Sequence, residues 1–522
     1  MPTLNWIGKE AVVNHDKEVP FRLLKKVKAH SVGENSQNLI IHGDNLEALK
    51  ALMPYYRGKI KCIYIDPPYN TGNESWVYND KVNSPKIKKW LGEVVGGESE
   101  DLCRHDKWLC MMYPRLRLLR DLLSENGVIF ISIDDNEHCN LKMAMDDIFG
   151  SENFVTNVIW QKKYSPQNDA KYFSDMHDFL VVYAKKMNKG NEKNGWTRNL
   201  ISRTEEQNAR YKNPDGDQRG IWKSSDLSVK TYSKDYDYPI TTPSGRIVKP
   251  PQGRCWRTSR ENFQKMVKEN RIWFGPKGSG VPAVKRFLTE VQAGIVPVTI
   301  WFRDEVGDNQ EARQELKELF KDVEFPFETP KPVRLIKRVL QISTNKDDII
   351  LDSFAGSGTT GHAVLNLNNE DGGNRKFIHI EMEDKVAKDI TAERIKRAIK
   401  KYNYKDGFEY CELDKPLFNE EGQIEDDCSF EQLATYIYFT ETNTNLDKKQ
   451  ISGKLIGMYN EVAYYLLFNE KGKNILNKEF LKKIRKDEGK KIIYADKCLI
   501  DDKTMIKYNI QFKQIPYEVE RY

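Results

Sequence analysis

A carboxylate, two prolines and a tyrosine, Asp66-Pro67-Pro68-Tyr69, end the apolar run IKCIYI at residues 60–65. Proline has no amide hydrogen to give a sheet ladder, so the run stops there. An acid at the carboxyl end of a buried strand stands where open α/β sheets take their ligands. Asp66 is placed to accept hydrogen bonds from an amine, and Tyr69 offers a face on which a planar base can stack. Pro67 and Pro68 fix the backbone and present carbonyls with no competing amide hydrogens. Two acceptors on one exocyclic amine draw its hydrogens away and leave nitrogen density available to attack an electrophilic methyl. Taken alone, D-P-P-Y is also an ordinary proline turn after a strand.

A second group is DSFAGSGTT at 352–360, between an apolar run and a helical pattern that starts near Thr360. Its glycines let the backbone turn tightly and approach a ligand. A phosphate-binding P-loop needs Lys-Ser/Thr after the last glycine, and here Gly358 is followed by Thr359-Thr360. Gly356, Gly358 and Gly361 have the dinucleotide spacing, but Asp352 and Phe354 add a carboxylate and a ring. A cofactor carrying an amine and an adenosine suits that set better than a pyrophosphate. Glu381, in RKFIHIEMED (375–384), follows Gly361 at the interval of about twenty residues expected of an acid that takes ribose hydroxyls. A plain strand–helix turn and a solvated strand-end acid are the rival readings of these two features.

These groups need a frame. NLIIHGD (38–44), IKCIYID (60–66), GVIFISID (127–134) and DIILDSFAGSG (348–358) are short apolar runs ended by an acid, a glycine or both. They alternate with helical patterns such as PRLRLLRDLL (114–123) and PVRLIKRVLQIS (332–343), which predicts a parallel α/β sheet covered on both faces. Between 190 and 325 the periodicity weakens and Gly, Pro, aromatic and basic residues increase. The expected domains are therefore 1–189 and 326–410 as two parts of one catalytic domain, 190–325 as an insertion, and 411–522 as a lysine- and aromatic-rich accessory domain.

The 522 residues include 83 Lys plus Arg and 77 Asp plus Glu, a net charge of +6 that fits a nucleic-acid partner without demanding one. The eight cysteines form no C-x-x-C pair, so a zinc ribbon or redox motif is not expected, and no metal cluster is evident. With no basic-then-apolar leader and no apolar run of bilayer length, the expectation is a soluble, intracellular protein.

DPPYN together with FAGSGTT resembles the amino-methylating DNA methyltransferases that use S-adenosylmethionine, and the order of the two motifs is that of the β class. IHGDNLEAL (41–49), SIDDNE (132–137), GPKGSGVPAVKRFL (275–288) and TPKPVRLIKRVL (329–340) resemble the adenine-specific Mod subunits of type III restriction–modification systems. The resemblance covers roughly residues 35–400. It implies a Rossmann-like methyltransferase fold with permuted motif order. Asp66, Pro67, Pro68 and Tyr69 would be the catalytic tetrapeptide. Phe354, Gly356 and Gly358, with Asp352, would line the methionine part of the cofactor, and Glu381 its ribose. Asp44 and Asn45 would lie near its adenine or methionine end, and Lys331 and Pro332 would begin the helix that closes its pocket. The insertion would recognise the target, with Arg254, Arg257, Arg260 and Lys277 as candidate contacts to phosphates or guanine edges.

The resemblance further implies double-stranded DNA as substrate, N6 of a flipped-out adenine as acceptor, a homodimer, a restriction subunit as partner, and a place beside DNA in the prokaryotic cytosol. N4-cytosine methylation uses the same pocket chemistry and stays open. So does a type II-like enzyme and, in a different class, a DNA-binding specificity subunit that needs a partner. C5-cytosine chemistry requires a thiolate nucleophile; near the motif only Cys62 is present, in mid-strand, so that chemistry is excluded. His177, in MHDF, reads as structural or as a DNA contact.

Overall fold

The alternation of apolar runs and helices closes into one ten-stranded sheet in the computed structural model, which describes residues 4–33, 36–71, 85–96, 103–190, 194–323, 326–419, 423–425, 428–469, 474–484, 488–515 and 519. Its strands are β1 (Arg22–Lys26), β2 (Leu39–His42), β3 (Ile60–Ile65), β4 (Leu123–Ile133), β5 (Phe154–Gln161), β6 (His177–Ala184), β7 (Ile300–Trp301), β8 (Ile349–Asp352), β9 (Lys376–Glu381) and β10 (Glu409–Pro416). They lie in the order β1-β10-β2-β9-β8-β3-β4-β6-β5-β7. The sheet is not wholly parallel as the sequence led us to expect. β1 runs against β10, and β6 runs against both β4 and β5. No helix separates β5 from β6, so they form a hairpin, and a hairpin forces opposite directions.

The strands around β3 and β8 are continuous apolar runs because both of their faces are covered. The main helices are α1 (Asn45–Tyr56), α2 (Arg104–Leu122), α3 (His138–Phe149), α4 (Val333–Ser343), α5 (Thr359–Asp371) and α6 (Glu393–Tyr402). On α4, Val333, Ile336, Val339 and Leu340 recur at three- and four-residue steps and all are buried. On α2, Leu116, Leu119 and Leu122 are fully buried, each worth about 1.5–3 kcal/mol. β3 leads on to β4 and β8 leads on to β9, in opposite directions from the seam where β3 and β8 pair. That seam is a switch point, where strand carboxyl ends open a crevice.

Residues 200–297 form a separate compact unit; 1–199 and 298–522 form the other. The unit is narrower than the expected insertion of 190–325. β7 pairs with β5, and the charged helix Asn309–Leu319 buries Ala312, Leu316 and Leu319 and packs near α6, so 298–325 belongs to the larger unit. Within 200–297, Trp222–Asp226, Ala283–Phe287 and Ile272–Trp273 make an antiparallel sheet, and Leu227, Tyr238, Trp256, Phe263 and Phe274 belong to its core.

The expected boundary at 410/411 cuts through β10, whose polar residues read as part of the lysine-rich tail. Beyond it, helix Phe430–Thr442 and a four-stranded sheet of Leu455–Tyr459, Val462–Leu466, Lys491–Ala495 and Ile510–Gln514 follow. Leu433, Tyr436 and Ile437 of that helix share a core with Phe21, just before β1, and Leu23, within it. Among the described residues no helix is long and apolar enough to cross a membrane.

Candidate active site

Four carboxylates stand at the carboxyl ends of four adjoining strands: Asp44 after β2, Glu381 on β9, Asp352 on β8 and Asp66 after β3. With neighbouring strands about 4.8 Å apart, the row spans about 15 Å. One pocket is lined by Tyr64, Asp66, Lys331, Phe354, Gly356 and Ser357, so it joins the DPPY end to the glycine loop.

Lys331 Nζ donates to Asp66 Oδ2 at 2.5 Å, while among the described residues the buried Oδ1 has no hydrogen-bond partner. The same ammonium lies 5.2 Å from the centroid of the Tyr69 ring. Lys331 therefore holds Asp66 as well as starting the segment that leads into α4. Pro332 caps that helix, and the Val333 amide is taken by Glu315 at 3.0 Å. The Pro68 carbonyl accepts from the Trp108 indole at 2.7 Å, whereas among the described residues no group donates to the Pro67 carbonyl. The partly buried Tyr69 reaches Asp178 Oδ2 with its hydroxyl at 3.4 Å. Burial, and then the Asp178 and Asp66 charges, hold its phenol well above the usual range.

Sequence reasoning missed the residues that brace this end. Asn70 takes the left-handed conformation, φ 57°, which asparagine tolerates better than most residues. Its amide bonds Arg104 O at 3.1 Å and the fully buried Glu137. Asp178 is buried at the start of β6, and Lys162 Nζ donates to it at 2.7 Å and to Asp175 at 2.6 Å. Burial raises the Asp178 carboxyl against the opposing charges of Lys162 and Lys331. The asparagine closing DPPYN and the second residue of HDFL were visible signals; Lys162 gave none.

The glycine loop is held from beneath. Gly356 and Gly358 have φ 50° and 78°, the region glycine enters freely. A Cβ on Gly358 would lie 3.1 Å from the Thr391 carbonyl. Thr391, in the π-helical stretch Val386–Ala392, donates to Gly356 O at 2.6 Å. Glu381 accepts from the Gly356 amide at 2.9 Å and from the Glu383 amide at 3.0 Å. Asp352 accepts from Thr360 Oγ1 at 2.6 Å and the Phe354 amide at 3.1 Å, and burial pushes its carboxyl up to about 7. The Gly361 amide donates to His379 Nε2 at 2.8 Å, which needs that nitrogen unprotonated; burial lowers His379 to about 3. Arg394, fully buried and also missed, donates to Ser357 Oγ at 2.9 Å and Thr359 Oγ1 at 2.7 Å.

Asp44 caps α1 through the Leu46 and Glu47 amides at 2.8 and 3.2 Å and meets Arg115 at 3.3 Å. Asn45 accepts from Arg115 at 2.5 Å and donates to the Ser353 carbonyl at 3.3 Å, which ties α1 to the glycine loop. Cys62 is buried in β3 and its thiol is pushed up to about 12, so it offers no thiolate. His177 packs edge-on to Phe179, with centroids 4.9 Å apart. In the unit 200–297, Arg254 is engaged by Asp226 at 3.4 Å and Ser228 at 3.3 Å, while Arg257, Arg260 and Lys277 are exposed.

A sequence profile of the DNA methylase family matches residues 60–393. The chain is 36% identical over 406 residues to the Mod subunit of the type III restriction–modification enzyme StyLTI of Salmonella typhimurium, covering 75% of this chain and 60% of that one. It is 31% identical over 473 residues to the Mod subunit of a type III enzyme of Escherichia coli, covering 79% and 71%. It is 30% identical over 388 residues to the type II methyltransferase M.KpnI of Klebsiella pneumoniae, covering 70% and 85%. The chain thus spans 60% of the Salmonella relative's length. The profile opens at the first residue of β3 and closes at the first of α6, so it takes in Asp66 and the glycine loop alike, and the chain belongs to the DNA methylase family.

Proposed function

We propose that this chain methylates the N6 amino group of an adenine flipped out of duplex DNA, as the modification component of a restriction–modification system, with S-adenosyl-L-methionine as methyl donor. The observation that carries the reading is the buried, unpartnered Asp66 Oδ1 in a pocket shared with the glycine loop. The residues present fit that donor. A row of acids suits a cation, the loop has positive-φ glycines for close approach, and no lysine follows them to meet a pyrophosphate.

When bound there, S-adenosyl-L-methionine would supply an electrophilic methyl group. The chain's own residues do the rest. Tyr69 gives the flipped base a stacking face. Asp66 Oδ1 and the Pro67 carbonyl accept the two amine hydrogens, which turns the nitrogen lone pair toward the methyl. Asp66 is the acceptor placed for the proton that the amine sheds. The transfer runs directly to nitrogen, since Cys62 is unable to act as a nucleophile. Extruding the base costs a few kcal/mol, which DNA contacts must offset. We assign target recognition to the unit 200–297 and infer a homodimer with a restriction subunit as partner.

The test is single-molecule methylome sequencing of DNA from a methylation-deficient host that expresses the chain, beside Asp66→Ala. N6-methyladenine at one motif, absent from the variant, supports the reading. N4-methylcytosine would move the acceptor to cytosine. No modified base, from a purified chain that binds the cofactor, would overturn it for the chain alone.

A further inference from the structure

The segment that joins β5 to β6, residues 162–176, carries aromatic side chains turned out to solvent beside the site. Phe173 is 96% exposed and Tyr172 is 82% exposed. Lys163 and Lys171 share the segment, and Lys171 Nζ lies 5.4 Å from the Tyr172 ring centroid. Apolar rings so open to water signal a surface that meets something else.

The tip is exposed but its stem is pinned. Lys162 bridges Asp175 and Asp178 at 2.6 and 2.7 Å and closes the two ends of the segment. Inside it, the Gln167 amide donates to Ser174 Oγ at 2.7 Å, and Tyr164 stacks under Arg303 at 4.0 Å. Because β6 runs against β4, this connection stands on the same sheet edge as Asp66. Asp178, at the stem, is 3.4 Å from the Tyr69 hydroxyl. The stem of the segment and the base-stacking ring are therefore linked through one buried carboxylate.

We propose that Tyr172 and Phe173 are a wedge that enters the duplex where the target base leaves it, with Lys163 and Lys171 seating the flanking phosphates. This rests on the reading of the chain as a DNA base methyltransferase. A base that swings out leaves a gap in the stack, and proteins hold such distortions open by inserting apolar side chains between base steps. Lys171 beside the Tyr172 ring, with Lys163 on the same segment, matches the charge of a phosphate backbone and favours DNA over a protein partner.

The experiment uses the full chain with Tyr172→Ala/Phe173→Ala, and Phe173→Leu as a variant that keeps an apolar wedge. Single-turnover methylation is measured on a duplex carrying the motif found by methylome sequencing. A second duplex has an abasic site opposite the target base, so that the pair is already broken. The double alanine variant is expected to lose about 10-fold or more on the paired duplex and to stay within about 3-fold of wild type on the abasic one. Phe173→Leu should recover most of the loss, with cofactor affinity equal in all three proteins. Equal rates for the double variant and wild type on the paired duplex overturn the wedge, and so does the same loss on both duplexes. A wild-type chain that methylates neither duplex sinks the methyltransferase reading itself, and the wedge with it.

Discussion

Asp352→Asn asks whether the strand end beneath the glycine loop is held by a neutral carboxyl. Asp352 is buried, and its pKa stands at about 7 against an ordinary 3.8. Each pKa unit is worth about 1.4 kcal/mol. The folded value is the raised one, so the contribution is fully present below about 3.8 and is lost as pH rises through about 7, roughly 4 kcal/mol in all. Asparagine keeps the shape. Its oxygen can accept from the Phe354 amide, and its amide can donate to the Thr360 hydroxyl, which is able to turn and accept. The variant has nothing to ionise, so its stability relative to wild type should rise by about 2–3 kcal/mol between pH 5 and pH 8. The assay is urea unfolding of both proteins at four pH values, followed through the transition of the larger unit. Taking the difference cancels His362 and His379, both lowered to about 3 by burial and present in both proteins. A difference that stays flat within about 0.5 kcal/mol would refute the argument, since Asp352 would then titrate as it does in the unfolded chain. A difference that falls with pH would mean that the fold prefers the anion.

Two further substitutions separate the two ends of the pocket. Gly358→Ala forces alanine into a left-handed conformation costing about 1–2 kcal/mol and brings its methyl to 3.1 Å from the Thr391 carbonyl. Calorimetric titration with the cofactor should show about 10-fold weaker binding, and unchanged affinity would count against the loop as cofactor cradle. Asp178→Asn removes the charge that pairs with Lys162 and receives the Tyr69 hydroxyl. Methyl transfer should slow by about 10-fold, near the loss of one charge-assisted hydrogen bond, while cofactor affinity holds; equal loss of both would make Asp178 a general support of the fold.

Strand-end acids were legible because a strand needs only a local pattern. An apolar run such as IKCIYI, stopped by proline, marks both the strand and the residue that its end presents. The glycine loop was legible for the same reason. The direction of β6 was not, since an apolar run reads alike in either sense. The unit 200–297 was seen only as weakened periodicity, because several of its strands are two residues long and its core depends on scattered aromatics such as Trp256 and Phe263. Arg394 looked like one charge among many on a basic helix, yet it is fully buried, with its Nη1 on the loop and its Nε and Nη2 without a hydrogen-bond partner among the described residues. Only the tertiary fold distinguishes it from the exposed Lys400 on the same helix.

The Lys331–Asp66 pair shows why such residues escape local reading and why the chain's order works. The two are 265 residues apart, on opposite sides of the unit 200–297. Neither half of the larger unit holds the acid correctly alone: the first brings Asp66, Tyr69 and Asp178, the second brings Lys331 and the glycine loop. Removing one partner of a mostly buried ion pair leaves a charge costing about 3–5 kcal/mol, so the pocket is coupled to closure of the β3–β8 seam. The ladder of that short seam pairs Ile350 with Cys62 and Leu351 with Ile63. The acid that the sequence displays at residue 66 is thus set by a lysine arriving from far along the chain, and the pocket is complete only once both halves have met.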